Sequence, residues 1–88
     1  MVIPTQAKEA FWKAVEACLV QFHHFQSPDA KQAIKHFQKK LKDASPPLGG
    51  EMVYHEEPFY LACDLAGQQL DLASHRESYD KVLEDVKW

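Results

Sequence analysis

Glycine and cysteine are scarce in this sequence, with three Gly and two Cys among 88 residues. So few glycines, together with five prolines, exclude a low-complexity or collagen-like polymer. The two cysteines, Cys18 and Cys63, stand far apart and form neither a CxxC pair nor a metal-ligand spacing, which excludes a secreted disulfide framework. We expect reduced thiols, and a Cys18–Cys63 bridge is the minor alternative.

Long apolar runs are also missing. No run approaches the roughly 18 residues that a membrane-spanning helix needs. The first ten residues, MVIPTQAKEA, contain neither the basic region nor the apolar region of a signal peptide. The sequence therefore predicts a cytoplasmic protein without a membrane segment.

Positive charge is in deficit, since ten basic residues face thirteen acidic ones and leave a net charge of −3. This balance gives no general attraction to nucleic acid or to an anionic membrane. The lysines of the second predicted helix recur at helical spacing and are typical of a solvated face, and Arg76 is the only arginine. We therefore expect no nucleic-acid partner.

The charges divide unevenly along the chain. Residues 1–44 carry seven Lys against four acids, whereas residues 45–88 carry three basic residues against nine acids. The two halves should attract each other, within one chain or between chains. At 88 residues the chain is a single domain, 1–88, and its core is small.

The first half predicts two helices joined by a short break. Apolar residues recur every three or four positions over 5–26, which is typical of an amphipathic helix. Ser27, Pro28 and Asp29 then provide a capping hydroxyl, a proline that needs no N–H partner, and a favourable negative charge at a helix start. We expect a second helix over about 28–44, folded back against the first as an antiparallel hairpin.

A break follows in SPPLGG, whose two prolines and two glycines exclude helix and indicate an internal linker at 45–55. Residues 57–66 fit a third helix that ends at Gly67. The same stretch also shows strand-like alternation, so an α+β fold with a β-hairpin around Gly67 is the alternative.

The C-terminal stretch predicts a fourth helix over about 75–87. Ser74 and Glu77 match the capping-box pattern, in which each side chain bonds a free backbone N–H of the first turn. The predicted fold class is therefore all-α, with four helices arranged as two antiparallel helical hairpins.

Five histidines in 88 residues raise the question of a metal. If the first two helices fold back on each other, Cys18 and His36 could approach across the hairpin, with His23 about one turn from Cys18. A thiolate and imidazoles suit Zn²⁺ and several other transition metals. We keep this set as a minor alternative, because Cys18 lies on the apolar stripe and buried cysteines mostly act as small hydrophobes. The main expectation is no metal and no cofactor.

Catalytic motifs are not found. The sequence contains no glycine-rich phosphate loop, GxSxG elbow or HExxH pair. The acids beside His55 are explained by the preference of helix N-termini for negative charge. We therefore expect a protein that is not an enzyme.

The aromatic residues give the strongest functional indication. Trp12 lies one step off the main apolar stripe of the first helix, and Leu19 lies on nearly the same side. These two residues widen the apolar arc beyond what one partner helix covers. The sequence thus predicts a small interaction or regulatory module in which Trp12 and Leu19 contact a partner, with a homodimer favoured. A helical bundle that binds a ligand or metal through its His and Cys residues is the alternative.

Overall fold

The computed structural model describes residues 5–43 and 57–86, and all regular structure in that part of the chain is helical. The all-α prediction is confirmed, and the β-hairpin alternative around Gly67 is wrong. The predicted linker at 45–55 lies outside the described residues. The elements are α1 (Thr5–His23), α2 (Ser27–Asp43), α3 (Pro58–Ala66), a 3₁₀ turn (Ala73–His75) and α4 (Arg76–Asp85).

α1 is the central helix, because it packs against α2, α3 and α4, and most extensively against α3. Trp12 meets Phe37 at about equal distances before and after the break between α1 and α2, as expected for an antiparallel hairpin. The hydrophobic core is one continuous cluster of buried residues around α1. They are Phe11, Ala14, Val15, Cys18 and Leu19 of α1, Ala30 and Ile34 of α2, Phe59, Leu61, Ala62 and Cys63 of α3, and Tyr79 and Val82 of α4.

α1 ends three residues before the predicted position 26. His24 has a φ of 62°, in the left-handed region, and this residue turns the chain out of the helix. The Phe25 N–H then donates to the Leu19 carbonyl at 3.1 Å, which satisfies one of the free carbonyls at the helix end. α2 begins at Ser27, where the Ala30 N–H donates to the Gln26 carbonyl at 2.9 Å.

α3 ends as predicted, at a left-handed glycine. Gly67 has a φ of 70° and donates its N–H to the Asp64 carbonyl at 3.2 Å. The Gln68 N–H donates to the Cys63 carbonyl at 3.1 Å, and this pair of bonds is the Schellman arrangement. Pro58 occupies the first helical position, where its missing N–H costs nothing.

The capping box predicted at Ser74 and Glu77 is wrong. Ser74 lies inside the 3₁₀ turn, and its hydroxyl donates to Asp71 Oδ2 at 2.8 Å, while His75 precedes α4 without a side-chain capping bond. The Ser74 hydroxyl bond, followed by bonds from the backbone N–H groups of Ala73 and Ser74, lowers the pKa of Asp71 below its usual 3.8. Asp71 is therefore the acceptor that organises this turn, and α4 begins one residue later than predicted.

Candidate partner-binding cleft

The structure does not bring together the three residues of the metal alternative. Cys18 is fully buried in the core, whereas His36 is exposed on α2. His23 is at the end of α1, where its Nδ1 lies 3.3 Å from Gln68 Oε1. Among residues 5–43 and 57–86, no group of three His, Cys, Asp or Glu side chains is placed to hold a metal ion.

An aromatic cluster that the sequence did not reveal joins α1, α3 and α4. The Phe59 ring lies 5.5 Å from the Tyr79 ring, and His75 lies 5.3 Å from Phe22. The Tyr79 hydroxyl donates to Glu57 Oε2 at 2.7 Å and accepts from the Phe59 N–H at 3.4 Å. Burial, followed by the bond to Glu57, raises the pKa of Tyr79 above its usual 10. These contacts hold α4 against α3.

The two cysteines are free thiols, and both are buried. Burial raises the pKa of Cys18 to about 12, and the neighbouring Cys63 adds to this effect. Since the thiolate is the nucleophile and the metal ligand, a thiol with this pKa is inert at neutral pH. Cys18 is a core residue and not a reactive one.

The two residues predicted to contact a partner lie in different environments. Leu19 is fully buried in the core, so it presents no surface to another chain. Trp12 is half-buried, and its ring contacts Phe11 edge-on at 5.0 Å and Phe37 at 6.4 Å. On α1, Leu19 is therefore covered by the rest of the chain, whereas Trp12 remains partly accessible to solvent.

An open cleft of about 240 Å³ lies beside Trp12, between α1 and α2. Trp12 and Ile34 form its apolar lining, since Ile34 is only 7% exposed and is anchored in the core. Charged side chains form the rest of the lining. They are Lys13 and Glu16 of α1 and Lys31 and Lys35 of α2.

The lysines were missed as site residues because the sequence shows them only as a solvated stripe. Lys31 and Lys35 are one helical turn apart and lie on either side of Ile34 in the sequence. This spacing indicates an apolar position on α2 with cations beside it. That signal becomes a site only once the hairpin brings Trp12 to the same place.

A second depression, of about 610 Å³, lies on the outer side of α2. All of its described lining residues belong to that one helix, so no second described element faces them. All of its described lining residues except Ala33 are polar or charged, and they include the exposed His36. The Trp12 cleft brings together side chains from two helices, whereas this surface does not.

Comparisons with protein-family models, with curated proteins and with solved structures found no match to this chain. None of the helices in the described part of the chain combines the length and the apolar character needed to cross a membrane. The described residues therefore form a small all-α domain with a cleft between α1 and α2, and the functional argument depends on that cleft.

Proposed function

We propose that this chain is a non-catalytic interaction module, cytoplasmic and regulatory in role, which binds a protein partner through the Trp12 cleft. The observation that carries the proposal is a half-buried Trp12 beside Ile34 in an open cleft edged by charged residues. Tryptophan is the residue type most enriched among those that dominate binding energy at protein interfaces. An apolar centre with a charged rim is the usual organisation of such an interface.

The size and lining of the cleft favour a side chain of a protein as its occupant. A volume of about 240 Å³ is below the roughly 300–1,000 Å³ of pockets that enclose small molecules. Small-molecule sites also place a few buried polar groups to orient the ligand. None of the charged side chains that line this cleft is buried, since Lys13, Lys31 and Lys35 are exposed and Glu16 is partly exposed. These features support an interaction surface over a ligand-binding or catalytic pocket.

Affinity capture from the native host with three forms of the chain tests the proposal. The wild type should retain a specific partner, and Trp12→Glu should lose it, because the carboxylate cannot be buried against Ile34 without a large desolvation cost. Val20→Glu is the matched control, since Val20 is 39% exposed on the same helix and does not line the cleft. Equal retention by all three forms would refute the proposal.

Self-association, the form of interaction predicted from the sequence, has a separate test. Sedimentation equilibrium at micromolar concentration should give twice the 10.1 kDa chain mass if two copies pair through this surface, and Trp12→Glu should return it to the monomer. A monomer mass in the wild type would exclude the homodimer and leave a different protein as the partner.

A further inference from the structure

The charge of the Trp12 cleft indicates the chemistry of its partner, if the proposed function is accepted. Three cations, Lys13, Lys31 and Lys35, and one anion, Glu16, line it, so its rim has an excess of two positive charges. All three lysines are exposed, and none of them forms an ion pair within the described part of the chain. This excess is notable because the whole chain has a net charge of −3.

The same rim disfavours direct pairing of two identical clefts. A two-fold axis through the cleft would bring Lys13, Lys31 and Lys35 of one copy against the same residues of the other. Like charges placed against each other across an interface oppose association. An occupant that carries negative charge would instead gain from all three lysines.

We infer that the cleft binds an acidic segment of another protein, which places one apolar side chain against Trp12 and Ile34 and carboxylates opposite the lysines. Lys31 and Lys35 are four residues apart on α2, which separates them by about 6 Å along the helix axis. Carboxylates one turn apart on a helix, or two residues apart on an extended segment, have the same spacing. The apolar side chain provides the buried contact, and the carboxylates provide orientation and rate of association.

Three synthetic peptides of about four helical turns, each carrying a fluorescent label, test this inference by anisotropy. The first has Leu and Phe on one face with Glu and Asp elsewhere; the second replaces Leu and Phe with Ser; the third replaces Glu and Asp with Lys. The wild-type chain should bind the first peptide at least about tenfold more tightly than either of the others. Equal binding of the third peptide would overturn the inference, and equal binding of the second would show a surface for polyanions without an apolar anchor.

Matched charge reversals locate the binding. Lys31→Glu with Lys35→Glu should weaken binding of the first peptide at least about tenfold, whereas Lys39→Glu with Lys40→Glu should change it less than about twofold. All four lysines are exposed on α2, so both double variants should fold, and far-UV circular dichroism checks this. Equal losses in the two double variants would refute the assignment to the cleft.

The experiment separates this inference from the proposed function. If capture from the host depends on Trp12 but the first peptide does not bind, the interaction module stands and the acidic partner is wrong. If the wild type sediments as a dimer that Lys31→Glu with Lys35→Glu dissociates, the occupant is a second copy and the inference is likewise wrong.

Discussion

Tyr79 is the residue whose hydroxyl joins the two C-terminal helices. It donates to Glu57 and accepts from the buried N–H of Phe59. Tyr79→Phe leaves that N–H without an acceptor, so the free energy of unfolding should fall by about 1–3 kcal/mol. Tyr60→Phe is the control, because Tyr60 is 45% exposed and its hydroxyl can bond water. Urea unfolding measures both, and equal effects would contradict the role given to the Tyr79 hydroxyl.

Cys18 should make stability fall at alkaline pH. Its pKa is raised from 9.0 to about 12 in the folded chain, so above pH 9 the unfolded thiol loses its proton while the folded thiol keeps it. The folded state then binds the proton more tightly, and the free energy of unfolding decreases as pH rises from 9 to 12. Urea unfolding at pH 8 and pH 11 should show a smaller decrease in Cys18→Ala than in the wild type. An identical decrease would exclude Cys18 as a source.

Substitutions at the two residues with positive φ, Gly67 and His24, should change stability in opposite directions. Gly67 has a φ of 70° with no atom within 4 Å of an added Cβ, so Gly67→Ala should destabilise the chain by about 1 kcal/mol through backbone strain alone. His24 already bears that strain at a φ of 62°, so His24→Gly should stabilise the chain by up to about 1 kcal/mol. Thermal unfolding of both variants measures the direction of each change. A loss of stability in His24→Gly would contradict the left-handed conformation of His24.

The turn before α4 depends on Asp71 and not on Ser74. Asp71→Ala removes the carboxylate that accepts from the Ser74 hydroxyl and from two backbone N–H groups, so it should destabilise the chain more than Ser74→Ala. Because folding lowers the pKa of Asp71 below 3.8, its contribution is present above about pH 4 and is lost as pH falls further. The decrease in the free energy of unfolding between pH 7 and pH 3 should therefore be smaller in Asp71→Ala than in the wild type. A larger loss of stability in Ser74→Ala than in Asp71→Ala would instead support the capping role predicted for Ser74.

The helices could be predicted from the sequence, whereas their ends could be predicted only in part. Apolar spacing sums over many residues, so the helical assignment of α1 and α2 tolerates single exceptions. A helix end depends on one backbone conformation. Gly67 was readable because glycine adopts positive φ at low cost, whereas non-glycine residues such as His24 seldom adopt it. Ser74 matched a capping pattern, and Asp71 formed the bonds instead.

For the whole molecule, the sequence predicted the Trp12 surface but placed Leu19 on it as well. Seven residues apart on one helix, the two share a side, and the packing of the other helices around α1 decides which of them is covered. The alignment of α2 with α1 likewise determines that Lys31 and Lys35 reach the Trp12 cleft. Such tertiary relations arise between elements and leave no local pattern, which is why the rim of the cleft was not predicted.

The account depends most on the burial of Leu19 in the core and the partial exposure of Trp12 in the cleft. Urea unfolding of Leu19→Glu and of Trp12→Glu, measured side by side, tests this difference most directly. A carboxylate at Leu19 would be buried without a partner at a cost of several kcal/mol, against a total stability of roughly 5–10 kcal/mol for a chain of this size. We predict that Leu19→Glu shows no cooperative transition, whereas Trp12→Glu unfolds cooperatively with a denaturant dependence close to that of the wild type. If Trp12→Glu also fails to fold, Trp12 belongs to the core and the chain has no open apolar cleft to offer a partner.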